Sequence, residues 1–352
     1  RTVNGLVVAS AYGPIGASTR VRVYDWLDHL GWRDVQRHEF RGAAHNRPGE
    51  LLRHPMETLE AMRRTHAIDV FGRPLVVSRE ASPFGRGRLE ERLLHQAAHG
   101  VFDFDDALFD DTSRFRQVLG GAEKTVRSVQ AADVVIAGND YLADWASARN
   151  SQVRVIPSCI DPDAYRVKTT WEVSRPPRII WVGSPGTEGY LAKIAPALRR
   201  VGQTTGAILV VVSGSATNPA LADLDFMLRR VPWQPGLAER ELADADVAIA
   251  PLDDSPYARG KCAYKVLQYA AAGLPVVGSP VGANRLALQR FGGVSVEGLD
   301  DWRDALVSVL AEPVRVRQAR GHTARSGVVA HYSFQAWAPA WVDAVGQSTS
   351  AD

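Results

Sequence analysis

The stretch from Asp246 to Gly282, DVAIAPLDDSPYARGKCAYKVLQYAAAGLPVVGSPVG, limits the possible folds more than any other part of the chain. It predicts a short buried strand over Val247 to Pro251, a polar loop over Asp253 to Arg259, a helix, and a second strand over Leu274 to Val277. Gly273 and Pro275 mark the joint between helix and strand, as helix-terminating residues do. Lys261 and Lys265 lie four apart at the expected helix start, which would place both on one face near its N-terminus. A helix N-terminus already attracts anions through its free N–H groups and its dipole. Two cations there are unfavourable for the bare helix, so the pattern predicts a bound anion such as a phosphate.

The same rhythm extends in both directions. Gly5 to Ala11 reads as a strand, followed by a loop over Tyr12 to Ser18 and a helix over about Thr19 to Leu30. Val23, Trp26, Leu27 and Leu30 form that helix's buried stripe, and Ser18 or Thr19 is positioned to cap it. Apolar pieces recur at Pro74 to Val77, Gly100 to Phe104, Asp133 to Ala137 and Val153 to Ile156. Asp163 to Pro177 reads as an interdomain linker. Strands at Arg178 to Val182 and Ala207 to Val212 then restart the alternation, with helices at Glu188 to Val201, Gly236 to Ala243, Asn284 to Arg290, Asp300 to Leu310 and Val314 to Ala330. Alternation of this kind predicts the α/β class, with parallel sheets covered by helices on both faces. A chain of 352 residues has room for two such domains, expected at 1–165 and 166–330. Residues 331–352 carry Phe334, Trp337, Trp341 and Val345 at helical spacing, a stripe that needs a surface to pack on.

Composition narrows the partners. A net charge of +2 argues against nucleic acid, which calls for a pronounced basic excess. Arginines do recur from Arg20 to Arg92; they read as a solvated surface or as a basic patch facing a phosphorylated acceptor or an anionic membrane. Two cysteines, Cys159 and Cys262, are too few for a disulfide framework and fit a reducing compartment. No apolar run approaches ~18 residues, and Leu6 to Ala11 is too short for a secretory core, so the expected location is cytoplasmic, with membrane contact at most peripheral. The sequence does not open on Met, and some preceding residues are expected.

The residues around Lys261 resemble the donor-nucleotide half of a two-domain, Rossmann-like glycosyltransferase of the GT-B fold, most closely the retaining family 4 enzymes. The resemblance rests on a buried strand ending in Pro-Leu, a loop, and a helix closing with Ala-Ala-Gly-Leu-Pro-Val-Val. It implies two Rossmann-like parallel-sheet domains facing a central cleft, with the last helix crossing back to the first domain. It also implies transfer of a sugar from a nucleoside diphosphate donor, UDP- or GDP-linked, with retention and without a further cofactor. In that family two glutamates eight apart frame the helix, the first on the donor sugar and the second on the ribose hydroxyls. Counting back from Ala-Ala-Gly puts Gly260 and Gln268 at those positions. Gln268 can still hydrogen-bond a diol; Gly260 offers no side chain. Family members hold the diphosphate with an Arg and a Lys just after the strand matched by Arg178 to Val182. This chain has no cation between Arg178 and Lys193, so the missing charge is assigned to Lys261, with Lys265 the weaker candidate.

Three loops are candidates for the site, since ligands of open α/β sheets bind at the carboxyl ends of strands. Gly183, Ser184, Gly186 and Thr187 lie between a strand and a helix, where backbone N–H groups and hydroxyls can cradle a diphosphate; an ordinary turn is the alternative. Gly13, Gly16, Ser18 and Arg20 form a glycine-bearing loop after the first strand and the helix start behind it; in the resembled family a loop at this place lies against donor phosphate or acceptor, whereas Arg22 is expected to face elsewhere. Asp103, Asp105 and Asp106 end an apolar strand. Asp105 and Asp106 are read as catalytic with Lys261, holding acceptor hydroxyls or steadying positive charge at the anomeric carbon; helix capping and a metal-binding Asp103-x-Asp105 pair are the alternatives. Trp233 either stacks on the base or sits in the core. Glu241 and Asp253 or Asp254 are read as reaching polar groups of the base or sugar, with plain exposure on a turn as the alternative.

The resulting expectation is a metal-independent glycosyltransferase, acting on a small-molecule or glycan acceptor, with an arginine- and alanine-rich composition that fits natural-product biosynthesis. The alternatives are a sugar-nucleotide epimerase of the same fold, a two-domain small-ligand binding protein, and a catalytically weak nucleotide-sugar-binding protein.

Overall fold

The computed structural model describes residues 3, 5–14, 16–42, 46, 48–111, 117–234 and 236–346. Ile15 of the 12–18 loop and the last six residues of the expected C-terminal segment lie outside the described residues. The chain divides into two compact units, one formed by 1–159, 259–262 and 337–352, the other by 160–258 and 263–336.

The first unit is built on a parallel sheet of β1 (Leu6–Ser10), β2 (Val35–Glu39), β3 (Pro74–Ser78), β4 (His99–Phe104), β5 (Val134–Ala137) and β6 (Val153–Val155), in the order β2-β1-β3-β4-β5-β6. Val7 pairs with Leu75, Val76 with Val101 and Val101 with Val134, all in parallel. Every residue of β1, β4 and β5 is buried, as happens when helices cover both faces of a sheet. The second unit repeats the design with β7 (Arg178–Val182), β8 (Ile208–Ser213), β9 (Leu228–Pro232), β10 (Val247–Ala250), β11 (Val276–Gly278) and β12 (Val294–Ser295), in the order β12-β11-β10-β7-β8-β9. All of its pairings are parallel as well.

Three strands escape the sequence reading. Edge strand β2, VQRHE, and edge strand β9, LRRVP, carry polar side chains and show no apolar run, and β12 has two residues. The segment expected as a linker is packed instead. The backbone N–H of Lys168 donates to Ala272 O at 2.8 Å, its buried ammonium donates to Ala245 O at 2.7 Å, and Trp171 is buried. The first helical segment runs from Ala17 to His29 with a π-helical turn over Arg20–Tyr24. Neither Ser18 nor Thr19 caps it. Gly16 holds the cap position, Thr19 Oγ1 is bonded to Ser10 Oγ at 2.7 Å, and Ser18 Oγ accepts from Arg79 Nη1 at 2.6 Å.

The aromatic stripe forms a helix over Phe334–Val345, and from Trp337 onward it belongs to the first unit. Trp341 stacks on Trp26 with ring centroids 5.3 Å apart, and Ala344 O is 2.9 Å from His99 Nε2. Among the described residues no helix is long and apolar enough to cross a membrane.

Candidate functional site

In the second sheet the chain leaves β7 through β8 and β9 and then returns to place β10 on the other side of β7. The order therefore reverses between β7 and β10, and ligands of open parallel sheets bind outside such a reversal, at the carboxyl ends of the strands. The loop after β7 is the stretch Gly183–Thr187. Its backbone folds into a tight turn, with Thr187 N–H donating to Ser184 O at 2.9 Å and Ser184 N–H to Thr187 Oγ1 at 3.2 Å. Ser184 and Gly186 are exposed. The glycine at 183 is required by what lies beneath it. A Cβ there would fall 2.2 Å from the Trp181 indole and 2.9 Å from Lys265 Cε. Lys265 is thus drawn up beside this loop, its ammonium 5.4 Å from the centre of the Trp181 ring.

The backbone separates the two lysines. The helix begins at Tyr264, behind Ala263 in the left-handed backbone region, so Lys265 lies in its first turn and Lys261 precedes it. The two do not share a helix face. Gln268, one turn beyond Lys265, is buried and donates its amide nitrogen to Tyr165 Oη at 3.1 Å.

Directly behind the loop stands a cluster of Glu188, Arg230 and Asn218 that the sequence reading missed. Glu188 is buried and accepts from Arg230 at 2.7 and 3.1 Å and from Asn218 Nδ2 at 3.0 Å; Arg230 also donates to Gly214 O at 3.2 Å. Burial alone would raise the Glu188 carboxyl, but its hydrogen bonds, that from Arg230 foremost, outweigh burial and hold it below the usual range. Across the reversal, Asp253 forms an ion pair with Lys193 and accepts from Ser255 Oγ at 2.9 Å. Burial opposes ionisation of Asp253 as well; Lys193 and Ser255 prevail and lower it. Glu241 pairs with Arg229. Trp233 follows β9 and is 43% exposed, so it is not the core tryptophan that was one of its two readings.

The first sheet has its own reversal, between β1 and β3. Here Arg79 joins the loops. It follows β3 with φ of 64°, a left-handed conformation that costs a non-glycine residue about 1–3 kcal/mol and tends to be kept at functional positions. Its Nη1 reaches Ser18 Oγ, Asp106 Oδ2 at 3.0 Å and Asp105 Oδ1 at 3.5 Å. Lys261 completes the cluster by donating to Asp106 Oδ1 at 3.1 Å. Burial pushes the Asp105 carboxyl up, and the neighbouring Asp106 pushes it further, against Arg79. Burial acts on Asp106 in the same direction, yet Arg79 and Lys261 together bring it down. Two adjacent carboxyls are thereby split, one inclined to hold a proton and the other to stay charged. Neither caps a helix, because the short turn that follows starts from Ala107.

Asp103 stands apart from this pair. Its carboxylate is buried against Arg22, with contacts of 2.6, 3.1 and 3.2 Å, while Arg22 Nη1 donates to Ile156 O at 2.8 Å. Arg22 does turn away from the Gly13–Ser18 loop, and what it turns toward is the first of the three aspartates. Arg20 lies 3.7 Å from Asp25, five residues on, a spacing that the π-helical turn brings side by side. Among the described residues no group of three or more His, Cys, Asp or Glu is arranged to hold a metal ion.

The segment 259–262 is tied into the first unit at several points. Asn139 Nδ2 donates to Arg259 O at 3.2 Å and to Lys261 O at 3.1 Å, and Cys262 Sγ donates to Asp105 O at 3.2 Å. A Cβ on Gly260 would lie 2.5 Å from Ala107 N, so the glycine there answers to a close backbone approach. Arg79 could have been suspected from sequence alone, since it directly follows the apolar run PLVVS; Arg230 could not, because it lies in β9, which shows no such run.

Residues 176–312 match the family model described as glycosyl transferases group 1. No match to a functionally curated protein sequence was found. An alpha,alpha-trehalose-phosphate synthase (UDP-forming) from Burkholderia vietnamiensis superposes with a TM-score of 0.66 at 13% identity, covering 98% of this chain and 100% of that one. WaaG, a glycosyltransferase involved in lipopolysaccharide biosynthesis, gives 0.65 at 14% identity over 97% and 100%. TarM gives 0.59 at 13% identity over 78% of this chain and 54% of its own, so the match spans about half the length of TarM. At such identities the likeness defines the fold. The chain has the two-domain GT-B fold of these glycosyltransferases. The residues 176–312 that match the group 1 model lie in the second unit, apart from 259–262.

Proposed function

We propose that this protein transfers a sugar from a nucleoside diphosphate donor, UDP- or GDP-linked, to a nucleophilic acceptor, with retention at the anomeric carbon. The donor diphosphate lies at the carboxyl edge of the second sheet, on the backbone N–H groups of Gly183, Ser184, Gly186 and Thr187. The observation that carries this reading is Lys265 drawn up beside Gly183 at the sheet's reversal, which puts a cation against a loop of the kind that cradles phosphate. Trp233 supplies an aromatic face for the base, and Asp253 a fixed carboxylate on the other side of the reversal. Gly13, Gly16, Ser18 and Arg20, with Asp105, Asp106 and Lys261, make up the acceptor side on the first unit. Catalysis on this reading is positioning of the reactants and electrostatic stabilisation of the departing diphosphate. No metal is included, because Asp103, half of the aspartate pair that would hold one, is taken by Arg22.

Calorimetric titration with UDP and GDP tests the assignment. Lys265→Ala is expected to weaken the preferred nucleotide by about 1–3 kcal/mol, the scale of a lost charge-assisted hydrogen bond, and Lys261→Ala to leave it nearly unchanged. The reverse pattern would return the phosphate to Lys261.

A further inference from the structure

The first unit holds a polar cavity that the acceptor residues named above do not line. Tyr12 follows β1 and Glu80 follows β3, so both stand at the carboxyl side of the first sheet's reversal. With Asn46, Pro83, Leu119 and Lys124 they line a cavity of about 90 Å³, room for several waters or for one edge of a sugar ring. Glu80 and Lys124 are only 3% and 2% exposed and form an ion pair at 2.9 Å. Tyr12 Oη donates to the other Glu80 oxygen, and Lys124 also donates to Ser82 O. Glu90, on the helix Arg88–Gln96, is buried too, its Oε1 accepting from the Ala81 and Ser82 N–H groups at 3.0 and 3.3 Å. Burial, with Glu80 adding to it, raises the Glu90 carboxyl against the pull of Lys124. The cavity wall thus carries one cation and one carboxylate that balance each other, and the carboxyl behind them is inclined to keep its proton.

Packing gives no reason for this pair. A lysine near the N-terminus of the helix Gly121–Ala131 is disfavoured by the helix dipole, and a buried ion pair rarely stabilises more than apolar side chains of the same volume. What the wall offers is hydrogen bonding. Two of the three Lys124 N–H groups are taken by Glu80 and Ser82, which leaves one to donate. Asn46 Nδ2 donates to Ala11 O, while Asn46 Oδ1 is buried with no partner among the described residues. One donor and one acceptor at fixed places suit a ligand whose groups are both, as hydroxyls are. The balanced wall also selects against charge: a phosphate or carboxylate would meet Glu80, and an ammonium would meet Lys124, with no counter-charge to spare. Pro83 and Leu119 give the C–H face of a ring something apolar to lie on. We propose that this cavity takes an uncharged, polyhydroxylated ring of the acceptor, one hydroxyl donating to Asn46 and a neighbouring one accepting from Lys124. The inference rests on the glycosyl-transfer reading given above, and it sets the acceptor apart from the phosphorylated class that the arginines from Arg20 to Arg92 suggested.

Saturation-transfer NMR with glucose, glucosamine and glucuronate, one ring in three charge states, tests the assignment, with calorimetry of UDP and GDP on the same samples. Wild type is expected to bind glucose about tenfold more tightly than either charged ring. Glu80→Gln, which leaves Lys124 without its counter-charge, should turn the preference toward glucuronate, a change that a merely structural pair would not produce. Asn46→Ala keeps the ion pair and should weaken glucose about threefold or more; Leu119→Trp fills the cavity and should weaken it about tenfold. Both should hold UDP and GDP affinity within about twofold. These two variants carry the test if Glu80→Gln does not fold. No glucose binding by wild type, a charged ring bound as tightly as glucose, or glucose affinity unmoved by both Asn46→Ala and Leu119→Trp would each overturn the inference. Wild type that binds glucose in this pattern but neither UDP nor GDP would overturn the nucleotide reading alone and leave the ring site standing.

Discussion

Lys261 donates to Asp106 at 3.1 Å across 155 residues of sequence, with the two side chains only 20% and 14% exposed. The lysine that the sequence places on a phosphate-binding helix is therefore held among the carboxylates of the first unit. Arg79 shares Asp106 with it, so two cations converge on the carboxylate whose pKa they lower. A part-buried carboxylate paired in this way is not an isolated charge, and each partner depends on the others.

Removal of either partner should therefore cost stability in a pH-dependent way. Asp106 is depressed in the folded protein, so its contribution is complete above the unfolded value near 3.9 and is lost as pH falls through the folded value. Lys261→Ala is expected to destabilise by about 1–2 kcal/mol at pH 7, between the surface and fully buried ranges, and by less in acid. A double-mutant cycle with Asp106→Asn, followed by denaturant titration, measures the coupling; a coupling near zero at pH 7 would show that the pair contributes nothing.

Asp105 is expected to act on turnover and not on nucleotide affinity. It directly follows a first-unit strand, and burial, with Asp106 adding to it, raises its carboxyl, the direction that suits a general acid. Asp105→Asn should lower kcat by tenfold or more, on the order of a general acid–base contribution, while UDP or GDP binding stays within about twofold. Loss of nucleotide binding in a folded Asp105→Asn protein would move the donor site to the first unit.

The π-helical turn has a consequence for pH. Burial pushes Asp25 up to about 6, Arg20 opposes, and Asp28 adds to the rise. The folded chain therefore holds this proton more tightly than the unfolded chain, whose aspartate titrates near 3.9. That advantage is complete below about pH 3.9 and disappears as pH rises through about 6. Asp25→Asn should gain about 1–2 kcal/mol over wild type at pH 8, less than the full linkage because the carboxyl is part exposed, and nothing below pH 4. Urea midpoints of the two proteins, measured from pH 4 to pH 8, should diverge as pH rises; parallel curves would rule this out.

The fold was legible wherever burial writes an apolar run. LVVAS, PLVVS, RIIWV and VAIA are central strands covered on both faces, and each was placed to within a residue or two. VQRHE and LRRVP are edges, where polar side chains hide the strand from any pattern. The candidate loops were legible as loops, because Gly183–Thr187 and Asp105–Asp106 follow central strands. It was not legible as partners. Helical spacing put Lys261 with Lys265, whereas Ala263 takes a left-handed backbone that ends one segment and starts another between them. Nothing local in the sequence announces that turn, or the pairing of Lys261 with a residue far upstream.

Gly260 stands where the resembled family carries a glutamate, and replacing it should not supply a sugar ligand. The backbone at 260 passes so close to Ala107 that any Cβ would sit 2.5 Å from its nitrogen and 2.7 Å from its own Cβ, in a turn closed by the Asp110 N–H on Ala107 O. The flanking carbonyls of Arg259 and Lys261 are held by Asn139, so the segment has little freedom to move aside. Gly260→Ala is expected to destabilise by about 1–3 kcal/mol, the usual cost of overpacking, and Gly260→Glu by at least as much. Both should displace the Lys261–Asp106 contact and lower turnover, with UDP or GDP affinity kept. Thermal unfolding and nucleotide titration of the two variants decide it. A stable Gly260→Glu protein with higher turnover would mean that the close approach to Ala107 is not a constraint and that the position is open for a sugar-binding side chain.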